Sequence, residues 1–143
     1  VVTGHDDIGG IASGNYGSIA NCYNAGAVTG KWDIGGLVGE NYKNITSSYS
    51  IGTVSGETRT GGLVGYNYQD SIITSSFWDV ETSGLSTSDG GGTGLTIAEM
   101  QTARTFLDAG WDFVGETANG TEDIWWIDEG QDYPKLWWEA AEH

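Results

Sequence analysis

The chain has 143 residues, 24 of them glycine against a single proline, and carries seven Trp, seven Tyr and three Phe. Twenty Asp and Glu face only Lys31, Lys43, Arg59, Arg104 and Lys135, for a net charge of −15. Such a surface repels phosphate backbones and anionic lipid, which excludes nucleic acid as a partner and leaves cations as the natural ligands.

No apolar run is long enough for a membrane span, so membrane insertion is excluded too. The one cysteine, Cys22, has no intrachain partner and rules out a disulfide framework. The chain opens on Val1 with no charged-then-apolar leader, which reads as a processed or excised piece whose export signal lies upstream.

In chain order, residues 1–7 form half a repeat. Val2-Thr3-Gly4 aligns with Val28-Thr29-Gly30 and Val54-Ser55-Gly56. Full copies follow at 8–33 and 34–59, and a third runs over 60–82. Ile8-Gly9-Gly10-Ile11-Ala12 recurs as Ile34-Gly35-Gly36-Leu37-Val38 and as Thr60-Gly61-Gly62-Leu63-Val64. The register holds through Asn15-Tyr16, Asn41-Tyr42 and Asn67-Tyr68. After Asp70 the third copy takes in about two extra residues, resumes at Ile73, and leaves the pattern at Trp78-Asp79.

A 26-residue unit of short β-branched and aromatic runs between glycines is one turn of a parallel β-solenoid. Equivalent residues then stack roughly 4.8 Å apart. The expected ladders are Ile11/Leu37/Leu63, Ala12/Val38/Val64 and Tyr23/Tyr49/Phe77, with a structural column Asn15/Asn41/Asn67 whose amides bond from rung to rung. Gly9-Gly10, Gly39 and Gly52 are expected at positive φ or at tight corners.

Residues 83–95 read as a flexible Gly-rich connector, with no Lys to make it a phosphate cradle. A cap spans 96–143. One helix is expected over about 97–109, with Thr96 and Glu99 as capping box, Gly110 as stop, and Ile97, Met100, Ala103 and Leu107 on one face. Fourteen of the acids lie after residue 78, and the cap is also dense in aromatics. Its tryptophans either build the cap core and cover the last rung, or Trp125, Trp126, Trp137 and Trp138 offer a glycan-binding platform. Asp123, Asp128, Glu129 and Asp132 either form a solvated face or chelate Ca²⁺, without matching an EF-hand loop. Asn44-Ile45-Thr46 and Asn119-Gly120-Thr121 are glycosylation sequons at Asn44 and Asn119.

Gly36-Leu37-Val38-Gly39 and Gly62-Leu63-Val64-Gly65, each followed by Asn-Tyr, resemble the GLUG-motif repeats of bacterial and archaeal surface proteins. Copy one departs at Gly10-Ile11-Ala12-Ser13, and the tail with Phe77-Trp78-Asp79 and Tyr133-Pro134 resembles the ending of such arrays. The resemblance implies an exported adhesin or surface-layer protein, secreted or at the cell surface. Some members are joined to immunoglobulin-cleaving metallopeptidases, but no His-Glu-x-x-His zinc motif occurs here, and the only histidines are His5 and His143.

The expectation is an all-β fold: a parallel β-solenoid of about three rungs with a small C-terminal α+β Trp-rich cap. Its function is structural or adhesive and non-catalytic. Val1, Val2, Thr3, Ile8 and Ile11 would present an open rung to another copy stacked head-to-tail into a fibre, or to upstream repeats, the chain then being the tip of a longer protein. The alternative is a carbohydrate-binding module. A polysaccharide lyase or hydrolase is disfavoured, because three rungs make a short cleft. No cofactor is implied beyond Ca²⁺.

Overall fold

In the computed structural model the described residues are 1–140; residues 141–143, the end of the expected cap, lie outside them. The chain divides into two compact units, Val1–Leu95 and Thr96–His143.

The first unit is a parallel β-solenoid in which each rung has five short strands. Rung one holds β1 (Val2–Thr3), β2 (Asp6–Gly9), β3 (Ala12–Asn15), β4 (Ser18–Ala20) and β5 (Tyr23–Asn24). Rung two holds β6 (Val28–Thr29), β7 (Trp32–Gly35), β8 (Val38–Asn41), β9 (Asn44–Thr46) and β10 (Tyr49–Ser50). Rung three holds β11 (Val54–Ser55), β12 (Thr58–Gly61), β13 (Val64–Asn67), β14 (Ile72–Thr74) and β15 (Phe77–Asp79). Each strand pairs in parallel with its counterpart one rung away, as in Ala12↔Val38↔Val64 and Tyr23↔Tyr49↔Phe77. The two-residue insertion is absorbed before β14, where Ile73 still pairs with Ile45.

Two apolar clusters fill the coil. Leu37, Val38, Ile45, Leu63, Val64, Ile73 and Trp78 form one, and Val28, Ile34 and Val54 the other. Each fully buried aliphatic contributes about 1.5–3 kcal/mol. The asparagine column is a hydrogen-bonded ladder, with Nδ2 of Asn15 donating to Oδ1 of Asn41 and Nδ2 of Asn41 to Oδ1 of Asn67, both at 2.8 Å. A second polar column replaces Cys22 by Ser48 and Ser76: the Cys22 amide donates to Ser48 Oγ, and the Ser48 amide to Ser76 Oγ.

Gly10 and Gly52 lie at bends between strands, as expected of tight corners, but the positive-φ positions are elsewhere. Positive φ falls on Asp7, Asp33 and Arg59 and on Asn21, Ser47 and Ser75, at 47–55°. Gly9, Gly10, Gly39 and Gly52 are not among the positive-φ residues. The recurrence of the glycines from rung to rung has a different cause, close backbone approach. A Cβ on Gly35 would stand 1.9 Å from the Val38 carbonyl oxygen, and one on Gly52 would stand 2.0 Å from that of Gly26.

Beyond rung three, α1 (Val80–Ser83) is capped by Asp79, whose carboxylate accepts the Glu81 and Thr82 amides, and β16 (Thr93–Leu95) pairs with β15. Between them, residues composition reads as a flexible connector are bound along the third rung as a shortened fourth. The Gly62 amide donates to the Thr87 carbonyl, the Leu63 and Val64 amides to Ser88 Oγ, and the Asn67 amide to Asp89. The glycines permit this closeness, since a Cβ on Gly91 would sit 2.5 Å from the Ile73 carbonyl oxygen. Under this strap lies Trp78, 5 % exposed, its Nε1–H donating to the Leu85 carbonyl.

In the second unit the single expected helix is two: α2 (Ile97–Met100) and α3 (Ala103–Asp108). The capping box at Thr96 and Glu99 is present. The break at Gln101 and Thr102 is stabilised locally: Thr102 Oγ1 donates back to the Ala98 carbonyl, and Glu129 accepts the Ala103 amide. It turns Phe106, rather than Leu107, fully inward. Phe106, Trp111 and Trp125 pack with ring centroids 4.6–4.8 Å apart, beside Phe113. A hairpin of β17 (Trp125–Trp126) and β18 (Lys135–Leu136) and a final helix, α4 (Trp137–Ala140), complete the unit.

Candidate functional site

The outer face of the sheets β2/β7/β12 and β3/β8/β13 gathers the solenoid's chemistry. Asp7, Asp33 and Arg59 occupy one column at left-handed backbone positions, which Asp tolerates better than most residues. Their strand neighbours pair across the rungs, as in Asp6↔Trp32 and Ile8↔Ile34, while the three column residues are left out of that register. Arg59 grips the buried Asp33 with Nε at 2.5 Å and Nη2 at 2.6 Å, and its guanidinium lies 4.8 Å from the Tyr66 ring centroid.

Glu40 of β8 faces this column. Asp7, Asp33 and Glu40 each bring a carboxylate oxygen within 4.8 Å of the others. Burial, followed by the charges of Glu40 and Asp33, pushes the Asp7 carboxyl above the ordinary aspartate range. These three could contribute oxygen ligands to a hard cation, but Arg59 already supplies a counter-charge to Asp33 from within the chain.

Glu40 also accepts the Tyr42 hydroxyl in a short hydrogen bond, which leaves Tyr42 Oη to accept from the Tyr68 hydroxyl 3.0 Å away. That bond to Glu40 holds the Tyr42 proton and drives its pKa far up. Tyr16, Tyr42 and Tyr68 stack face to face, with centroids 4.4 and 4.0 Å apart, as an outward aromatic stripe across all three rungs. Tyr16 at its end is 71 % exposed. This surface was readable in part: a tyrosine recurs one position after each inward asparagine, just past the ends of β3, β8 and β13, so the 26-residue shift stacks the three rings. The Asp7/Asp33 column and its switch to Arg59 also recur at the 26-residue shift. Glu40 carries no such signal, because its counterparts are Gly14 and Tyr66.

The acids expected to chelate Ca²⁺ are not brought together. Among the described residues, the acidic group close enough to share an ion is Asp7, Asp33 and Glu40. Glu129 caps α3, and Asp132 accepts the Tyr133 amide and pairs with Lys135 at 3.4 Å. The Asp128 carbonyl closes a turn with the Gln131 and Asp132 amides, while the Asp123 amide donates to Asp112. The four tryptophans do not form one platform either. Trp125 is fully buried in the aromatic core and Trp126 is half-buried, whereas Trp137 and Trp138 are exposed.

Val1, Val2, Thr3 and Ile11 are exposed, and Ile8 packs partly against Val28, Ile34 and Val54. β1 to β5 each have one strand neighbour and lie at the edge of their sheets. Asn44 is exposed on β9. Asn119 is unsuited to glycosylation, because its Nδ2, the atom a glycan would take, donates to the Leu107 and Trp111 carbonyls.

No curated protein and no solved structure matches the chain. The family described as the GLUG motif matches residues 30–55. That span is one full turn of the coil, and its strands pair in register with equivalents in the turns before and after it. Residues 30–55 therefore carry a GLUG motif, and here that motif is one rung of a parallel β-solenoid.

Proposed function

We propose that the chain is a non-catalytic structural and adhesive element of an exported surface protein, forming the closed tip of a longer GLUG solenoid. The observation that carries this reading is the strap of residues 84–95. It binds the backbone at Gly62, Leu63, Val64 and Asn67 and pairs with β15, so a further rung on that side would have to displace it, whereas β1 to β5 stay open. The columns fit a rung of the same kind: Asn15 would extend its amide ladder, and Val2, Ile8 and Ile11 would extend the apolar ones. Rungs upstream in the same polypeptide supply that neighbour without disturbing the strap. Head-to-tail fibres of separate copies require the strap to be displaced. The stacked tyrosines and the acidic column supply the adhesive face.

The test adds one 26-residue rung, a copy of residues 34–59 in register, ahead of residue 8 in place of residues 1–7, and follows amide exchange. Strong new protection of β2 to β5 and a higher unfolding midpoint are expected. Unchanged exchange there would refute the tip reading. Electron microscopy of the unmodified chain should show isolated particles at every concentration, and filaments with a regular axial repeat would replace the tip by self-assembly.

A further inference from the structure

The second unit carries an open cleft of about 490 Å³ lined by Val114, Glu122, Asp123 and Trp137. Its apolar part is exposed, Val114 at 54 % and Trp137 at 57 %. Its walls are held from behind. The buried Asp112 accepts the Glu122 amide at 2.9 Å and the Asp123 amide at 3.2 Å, so both carboxylates stand on a tethered loop. The Val114 amide donates to the Trp125 carbonyl, and the Trp137 amide to the Ile124 carbonyl, each at 2.8 Å. Among the described residues no side chain pairs with the Glu122 or Asp123 carboxylate, so two acceptors remain at the rim.

We infer that this cleft binds a cationic amino-sugar unit of a polysaccharide, with the Trp137 indole against the pyranose C–H face and Glu122 and Asp123 receiving the ammonium and hydroxyl protons. Three observations converge on that class. An exposed indole beside hydrogen-bond acceptors suits a pyranose, which is apolar on its faces and polar at its edge. Two unneutralised carboxylates, on a chain of net charge −15, favour a cation and repel uronates and sulfated sugars. The volume of about 490 Å³ lies in the range of small-ligand sites and has room for a sugar ring. The inference is independent of the solenoid's role, since Val114, Glu122, Asp123 and Trp137 all belong to the second unit.

Calorimetric titration of the full chain with a glucosamine tetrasaccharide tests it, alongside its N-acetylated form, a galacturonate oligomer and tetralysine. The glucosamine oligomer should bind, the N-acetylated form at least about tenfold more weakly, and the uronate not at all. Trp137→Ala, and separately Glu122→Gln with Asp123→Asn, should each weaken binding at least about tenfold. Trp137→Phe should keep most of it and report on folding. Glu57→Gln with Asp70→Asn removes the same charge from exposed positions in the other unit and should change affinity less than about twofold. Binding that survives Trp137→Ala in a folded protein would be plain polyelectrolyte attraction and overturns the site. Equal binding of the N-acetylated form overturns the role of the carboxylates, Trp137-dependent binding of tetralysine at equal or greater strength would make it a peptide site, and no binding of glucosamine overturns it outright.

Discussion

In residues 1–95 the side chains of the core stack on counterparts 26 or 28 positions away, whereas in residues 96–140 the core is a single cluster around Phe106, Trp111, Phe113 and Trp125. The solenoid spreads its stabilisation over ladders of small contributions, each sharing its polar groups with the next rung. The second unit concentrates it in a few large rings and in caps made by carboxylates such as Glu129 and Asp112. Repetition has ends that need special residues, and this chain places Trp78 and the strap at one of them. A single cluster has no ends, so each ring in it is irreplaceable.

The sharpest way to break this contrast is at the large rings. Trp78→Ala should cost about 3–5 kcal/mol in denaturant unfolding, because it empties the space beneath the strap. Trp125→Ala should cost a similar amount, but exchange protection should be lost in residues 96–140 and retained in β6 to β10. Loss in both units together would erase the distinction. Next comes the ladder. Asn41→Ala leaves Asn15 and Asn67 without their buried partner and should cost about 1–3 kcal/mol, more than Asn15→Ala at the edge, as measured by urea midpoints.

Gly91→Ala should free the strap at a cost of about 1–3 kcal/mol, with faster exchange of the Gly62, Leu63 and Val64 amides as the readout. The smallest effect is electrostatic. A carboxyl raised in the folded state, as Asp7 is, adds stability that is full below its unfolded value of about 3.9 and is lost as pH rises through the folded value. Asp7→Asn should therefore unfold about 1–2 °C higher than the parent at pH 7 and match it at pH 3, as followed by thermal melts.

Much of the architecture was legible because a solenoid writes its contacts into the sequence. A residue and its partner one rung away sit at a constant separation, so Leu37 over Leu63 and Asn15 over Asn41 follow from the period alone. The same logic exposes the tyrosine stripe and the Asp7/Asp33 column. It fails where the pattern is used once. Residues 84–95 have the composition of a linker, and only the carbonyls and amides left along rung three make them a strap.

The division between the two kinds of information is physical. Periodicity and the capping box of α2 are local or translational properties, visible in order along the chain: they account for the coil, its register and the start of α2. The helix break before Ala103, the burial of Trp125 against the exposure of Trp137, and the pairing of Arg59 with Asp33 depend on which groups meet after folding. Those meetings are settled by competition for space and for hydrogen-bond partners, which leaves no period to read.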